Sequence, residues 1–173
     1  MLSPQQLFAR LAELGLAHNT VEHAPVFTVE QAKAHRGELP GHHIKNLFLR
    51  NKKEQMWLVV ALEDRAIDLK RLGERLGAGR LSFGSPERLA KYLGVEPGSV
   101  TPFALINDTG RKVTLVLDEG LKADGLVNAH PLTNTMTSAL SLADLLRFFA
   151  ATGHEPSWID LESNGTAELQ LRS

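Results

Sequence analysis

The chain has 173 residues, a net charge of −1, 43% hydrophobic and 23% charged residues, and no cysteine. That length suits one domain with a substantial core, and the composition is that of a soluble globular protein. The missing cysteine excludes disulfides, thiolate catalysis and Cys-based zinc sites; no apolar run approaches the ~20 residues that span a bilayer. The N-terminal stretch lacks the apolar core of an export signal, so a cytoplasmic protein is expected.

In chain order, Ser3-Pro4-Gln5-Gln6 reads as a helix start: Ser at the cap, Pro at the first helical position, Gln three residues after the cap. The helix should run to about Leu14 and end at Gly15. Residues 19–23 form a short strand candidate. Thr28-Val29-Glu30-Gln31 repeats the capping pattern and opens a helix closing near Gly37. Residues 43–62 read as two strands about the polar turn Asn51-Lys52-Lys53-Glu54. Leu69, Leu72 and Leu76 sit at helical spacing, with Gly77 just beyond. Residues 80–83 are a short strand candidate, and Ser85-Pro86-Glu87 starts a helix stopped by Gly94. Residues 103–107 and 112–118 flank Asp108-Thr109-Gly110, which predicts a hairpin. Two further strands are expected over 126–130 and 135–140. Ser141 to Asp144 cap a C-terminal helix ending by Gly153. The polar tail from Glu155, around Trp158 and Ile159, is expected to pack loosely. The pattern predicts one α+β domain over residues 1–173, a mixed, mostly antiparallel sheet of six or seven strands flanked by helices.

Charge is distributed unevenly. Residues 33–80 hold eleven Lys/Arg and six acids, whereas residues 101–173 hold five and nine. A basic side on a near-neutral chain suits a local phosphate-rich partner, and equally an ordinary solvated face. No G-x-S-x-G, H-E-x-x-H or P-loop is present. His42 and His43 occupy adjacent strand positions, point opposite ways and do not chelate one metal, so neither a metal nor a cofactor is expected. His18 and His23 border a strand as surface or packing residues, and His35 is solvated.

Three features remain. Ile44, Phe48 and Leu47, Leu49 make both faces of one strand apolar, yet Lys45 and Asn46 lie between them, one toward each face. An ammonium there either snorkels to water or meets a negative partner. In residues 96–105, Pro97-Gly98 and Pro102 frame a rigid loop suited to presenting backbone N–H groups, although most such loops are simply turns. Residues 128–140 are dense in small hydroxyl and amide side chains, with His130 before a proline.

Together these stretches, KNLFL (45–49), GSVTPFAL (98–105, a G-x-x-x-P loop) and NAHPLTNT (128–135), resemble the YbaK/prolyl-tRNA-synthetase-associated editing domains. Within that family the chain looks like the free-standing Ala-tRNA(Pro) deacylases. The resemblance implies a compact α+β fold and hydrolysis of the ester joining a wrong amino acid to tRNA(Pro). It implies that Lys45 meets the terminal phosphate region of the tRNA, so that its charge is paired only when substrate is bound. Asn46 would bond near the ester or ribose, and Gly98 would supply backbone stabilisation of the oxyanion. His130 is read as pocket wall in preference to general base. Ser99, Val100, Thr101, Pro102, Asn128, Thr133, Thr135 and Ser138 would line the aminoacyl pocket; Arg50, Lys52, Lys53 and Arg80 would join Lys45 in touching the acceptor stem. Because aminoacyl esters are activated, a positioned water and the vicinal ribose hydroxyl replace a protein nucleophile. The partners implied are the tRNA(Pro) acceptor end carrying alanine, and prolyl-tRNA synthetase or an elongation factor; no membrane and no DNA are expected. Three other readings stay open: a Cys-tRNA(Pro) deacylase of the same family, a non-catalytic tRNA- or synthetase-binding module, and a small-molecule esterase, which would leave the basic segment unexplained.

Overall fold

Ser3 opens the first helix in the manner its neighbours require. Its hydroxyl accepts from the Gln6 N–H while the Gln6 side chain accepts from the Ser3 N–H. Helix α1 (Pro4–Glu13) then buries Leu7 and Leu11, one turn apart on one face. The device recurs: Asp68 caps α2 (Leu69–Leu76), Ser85 caps α3 (Pro86–Leu93) and Ser141 caps α4 (Leu142–Thr152). The computed structural model describes residues 1–25 and 39–161. The helix expected over 28–37 lies outside the described residues.

The strands are β1 (Asn19–Glu22), β2 (His42–Arg50), β3 (Met56–Leu62), β4 (Ser82–Phe83), β5 (Val113–Asp118), β6 (Val127–Ala129), β7 (Met136–Leu140) and β8 (Ser157–Ile159). They form one mixed sheet in the order β1-β7-β6-β2-β3-β5-β8, with β4 paired to β2. The β2–β3, β2–β4, β6–β7 and β1–β7 pairings are antiparallel; β2–β6, β3–β5 and β5–β8 are parallel. The turn between β2 and β3 is organised by Asn51, whose side-chain oxygen accepts from the N–H groups of Lys53 and Gln55, both at 3.0 Å.

The central strands are apolar on both sides because both sides are covered. Leu58 and Val60 of β3 pack with Phe48, Leu115 and Leu117 under α1, α3 and α4. Trp57, Val59 and Ala61 pack with Leu49, Val116 and Leu72 under α2. The second edge of β2 is divided between two partners. β6 takes its start (His42↔Val127, His43↔Asn128) and β4 its end (Leu49↔Phe83, Arg50↔Ser82), and no described strand pairs with it in between. A glycine stands at each junction. A Cβ on Gly41 (φ +102°) would meet the Leu126 carbonyl oxygen at 2.5 Å, and one on Gly84 would meet the Phe48 ring at 2.5 Å.

Three local expectations are corrected. Residues 103–107 are not a strand: Pro102–Asn107 is a 3-10 helix, started by Pro102 and capped by Thr101, whose hydroxyl accepts from the Phe103 N–H at 3.3 Å. An apolar run without periodicity does not distinguish the two forms, and burial of Phe103 against Phe148 (rings 5.3 Å apart, edge to face) decides it. Asp108-Thr109-Gly110 consequently makes no hairpin. Asp108 instead accepts from the N–H groups of Lys112 (3.1 Å) and Val113 (2.9 Å) and from His154 Nε2 (2.9 Å). The described part of the tail, residues 155–161, is not loose either, because Ser157–Ile159 adds to β5 as parallel edge strand β8 and Ile159 and Leu161 are buried.

The Asp108–His154 contact sits at the junction of the 3-10 helix, β5 and the end of α4. Burial raises the Asp108 carboxyl pKa, but hydrogen bonds from His154, Val113 and Lys112 outweigh it and hold the group below its ordinary value. A carboxyl depressed in the folded state contributes stability that is complete above its unfolded pKa of ~3.9 and lost as pH falls toward the folded value. Asp108→Ala should destabilise by about 3–5 kcal/mol, since it orphans buried donors. Asp108→Asn should flatten the loss of denaturation midpoint from roughly pH 4 downward relative to the unaltered chain. Superimposable pH profiles for the two proteins would contradict the assignment.

Candidate active site

Strand alternation fixes where β2 sends its polar pair. Ile44, Asn46 and Phe48 point to the face under α1, α3 and α4; Lys45, Leu47 and Leu49 point to the face under α2. Lys45 and Asn46 therefore work from opposite faces of one strand.

The half-buried Lys45 ammonium donates to the Arg65 carbonyl. Burial pulls its pKa below the ordinary lysine value, with the charge of Asp64 opposing. This corrects the expectation that the ammonium is partnered only by substrate: a backbone carbonyl orients it in the free protein. Arg65 is itself fixed. Its Nε donates to Asp118 Oδ2 at 2.9 Å and its Nη2 to Oδ1 at 3.4 Å. The fully buried Asp118 also accepts from the N–H groups of Leu62 (3.0 Å) and Gly120 (2.8 Å). The ends of β3 and β5 and the loop after β3 thus converge on one carboxylate, and Lys45 is tied to the same point.

Asn46 is placed differently. Its Oδ1 is buried and accepts no hydrogen bond among the described residues. Its backbone faces the divided edge of β2, because alternate residues share an edge: four residues before it the His42 N–H donates to the Leu126 carbonyl (2.6 Å), and two residues after it the Phe48 carbonyl accepts from the Gly84 N–H (2.9 Å). An orphaned buried acceptor destabilises by about 1–3 kcal/mol, and it persists where an incoming donor completes it.

In the second stretch Gly98, Ser99 and Val100 are partly exposed, while Thr101 and Pro102 are buried. Pro97–Ser99 is a single 3-10 turn in which the Ser99 N–H donates to the Glu96 carbonyl at 2.8 Å. The loop therefore keeps part of its donor set for itself.

The third stretch divides into struts and exposed groups. The Asn128 amide donates to the carbonyls of Pro40 (2.9 Å) and His42 (3.1 Å), fixing the approach to β2. Ser138 is fully buried, its hydroxyl 2.7 Å from that of Thr20, which lies 2.8 Å from His18 Nδ1. The hydroxyls of Thr133 and Thr135 bond each other at 3.0 Å and stay partly exposed. His130 Nδ1 donates to the Met136 carbonyl at 2.9 Å, which leaves the lone pair on Nε2. Burial lowers the His130 pKa; the Met136 carbonyl opposes this and His23, whose ring is 6.0 Å away, adds to it. His130 is thus a neutral ring at neutral pH.

Sequence reasoning missed two features here. Leu132, two residues after His130, has φ +68°, and its N–H closes a tight turn onto the His130 carbonyl at 2.9 Å. A left-handed leucine carries ~1–2 kcal/mol of strain, and nothing in His-Pro-Leu-Thr announces it. The Arg65–Asp118 contact spans 53 residues and has no local signal. Of the acceptor-stem candidates, Arg50 is ion-paired with Glu54 (2.9 Å), which also holds Arg88 (2.6 Å). Lys52, Lys53 and Arg80 are exposed. Among the described residues no group of three or more His, Cys, Asp or Glu side chains is arranged to hold a metal, and no helix is long and apolar enough to cross a membrane.

Strand β2 thus carries one oriented cation and one unsatisfied amide, and His130 is a neutral ring held through Nδ1. Residues 23–148 match the model of the aminoacyl-tRNA editing domain. The chain is 40% identical to the Prolyl-tRNA editing protein ProX of Acetoanaerobium sticklandii, over 93% of this chain and 99% of that one. It is 43% identical to the Prolyl-tRNA synthetase associated domain-containing protein 1 of Danio rerio, over 84% and 80%. A crystal structure of a candidate trans-editing enzyme for prolyl tRNA synthetase shares the fold, with a TM-score of 0.70 at 23% identity, covering 93% of this chain and 98% of that one. The chain belongs to the aminoacyl-tRNA editing domain family, and its class of activity is aminoacyl-tRNA deacylation.

The orphan acceptor separates stability from function. Asn46→Val places a good strand former where an amide is unsatisfied. Its thermal midpoint should equal or exceed that of the unaltered chain, while deacylation falls at least tenfold. A clear loss of thermal stability would show that the Asn46 amide is a structural group.

Proposed function

We propose that the chain hydrolyses the ester of alanine mis-attached to tRNA(Pro), acting in trans and sparing Pro-tRNA(Pro). The observation that carries the reading is the similarity, end to end, to a relative named for prolyl-tRNA editing. The site supplies a mechanism consistent with it. Lys45 offers its remaining N–H donors to the phosphate next to the terminal adenosine, a charge-assisted contact. Asn46 Oδ1 accepts from the α-ammonium or from a ribose hydroxyl and so loses its orphan status. Water, oriented by the vicinal ribose hydroxyl, attacks the ester carbonyl. The Gly98 N–H meets the oxyanion of the tetrahedral intermediate, which collapses as the C–O bond breaks and the departing ribose oxygen takes a proton. The products are alanine and intact tRNA, with no covalent enzyme intermediate.

Selection rests on volume. A synthetase shaped for proline rejects the smaller alanine by only ~1–3 kcal/mol, whereas a second, smaller site excludes the proline ring outright. His130, Val100, Thr133 and Thr135 are the residues assigned to that wall. The neutral His130 ring, held through Nδ1 to the Met136 carbonyl, is a fixed surface rather than a mobile base.

The test is a panel of tRNA(Pro) charged with alanine, proline, cysteine or serine. Alanine should be released rapidly and proline barely; faster release of cysteine than alanine would reassign the substrate. Lys45→Ala should lower kcat/KM ten- to a hundredfold, the worth of ~1.5–3 kcal/mol. His130→Ala should admit proline while retaining alanine release. Equal loss of every ester in His130→Ala would make His130 a general base instead.

A further inference from the structure

β4 is only two residues long, yet it places a large apolar side chain in water. Phe83 is 61% exposed, the one exposed Phe, Trp or Tyr among the described residues. It stands opposite Leu49 on β2 and therefore on the same face as Leu47 and Lys45. Its position is fixed: Ser82 pairs with Arg50, and the Gly84 N–H donates to the Phe48 carbonyl at 2.9 Å. Just upstream lies a half-open groove of about 500 Å³, lined by Lys70, Glu74, Gly79, Arg80 and Leu81. Arg50 and Arg88 share the single carboxylate of Glu54, whereas Lys70 and Arg80 enter no ion pair among the described residues and stand exposed at the groove. A fixed exposed ring beside unneutralised cations over an apolar floor is the arrangement by which proteins hold single-stranded nucleic acid, the ring stacking a base and the cations following the backbone.

The spacing suits one substrate segment. Lys45 and Leu49 are four strand positions apart, ~13 Å at ~3.3 Å per residue. A stacked strand rising ~3.4 Å per nucleotide covers that span in about four nucleotides, the reach of the unpaired tail that ends a tRNA. We infer that Phe83 is a stacking platform for the unpaired nucleotide where the acceptor stem gives way to the 3′ tail, with Arg80 and Lys70 on its phosphates. The identity of the nucleic acid rests on the proposed function; the stacking surface itself is tested without turnover.

The experiment uses the full chain and an uncharged acceptor-stem RNA hairpin, with and without its unpaired 3′ tail. The tail should tighten binding, and Phe83→Ala should remove about tenfold of that gain while leaving the tailless hairpin unaffected. Phe83→Trp should restore it, and an abasic nucleotide at the stem–tail junction should make the unaltered chain and Phe83→Ala bind alike. In the deacylation assay Phe83→Ala should raise KM about tenfold at nearly constant kcat, with an unchanged thermal midpoint. Unchanged tail-dependent affinity in Phe83→Ala overturns the inference. So does a self-association that Phe83→Ala abolishes while RNA binding persists, since the ring would then serve a second copy of the chain. Tail-dependent binding that needs Phe83, in a protein that cleaves no charged tRNA(Pro), would retain the stacking surface and reject the proposed reaction.

Discussion

The geometry of the site hangs on one buried carboxylate. Asp118 ends β5 with no solvent exposure and gathers the Leu62 N–H at the end of β3, the Gly120 N–H and the Arg65 guanidinium. A charge so deeply buried is tolerable only when paired and fully hydrogen-bonded. Those four donated bonds are consequently obligatory, and they fix the loop after β3. The Arg65 carbonyl in that loop is the acceptor that orients Lys45. An ammonium at the open end of a strand, which would otherwise sample many rotamers, is thereby presented in one direction; under the proposed function, less side-chain entropy is then lost on binding phosphate.

The second constraint is the division of the β2 edge. Had one strand run the length of β2, the Asn46 peptide would be sealed in a ladder and its neighbourhood closed. β6 and β4 each take two residues instead, one at either end, and Gly41 and Gly84 allow the two close crossings. The unsatisfied Asn46 Oδ1 and the left-handed Leu132 are both unfavourable in isolation. Such departures concentrate where the free protein is arranged for a ligand rather than for its own stability. Under the proposed function, an aminoacyl ester needs little more than orientation, water and an oxyanion donor.

Much of this was legible in the sequence because it is local. Capping residues located three of the described α-helices, the leucine spacing of 69, 72 and 76 located the fourth, and the turn residues 51–54 located the central hairpin. Alternation along 44–49 places Lys45 and Asn46 on opposite faces. What escaped depends on partners distant in the chain. Residues 103–107 satisfy strand and 3-10 patterns equally until Phe148 is brought against Phe103. Asp108 looks like a hairpin residue until His154, 46 residues later, claims its carboxylate. Ser138 and Asn128, chosen as pocket residues for their chemistry, have their polar groups engaged by Thr20, Pro40 and His42. The polar tail gave no strand signal because β8 is a three-residue edge whose pairing is contributed by β5.

The claim on which the account turns is that the Asp118–Arg65 pair acts on catalysis through Lys45, and a double-mutant cycle measures this directly. Arg65→Lys keeps a cation beside Asp118 but loses the guanidinium fork that sets the loop. With kcat/KM for Ala-tRNA(Pro) as the readout, Arg65→Lys should cause a several-fold loss in the unaltered chain and almost none when Lys45 is already alanine. The same several-fold loss in both backgrounds would contradict the account, because Arg65 would then act on the reaction by a route that does not pass through Lys45.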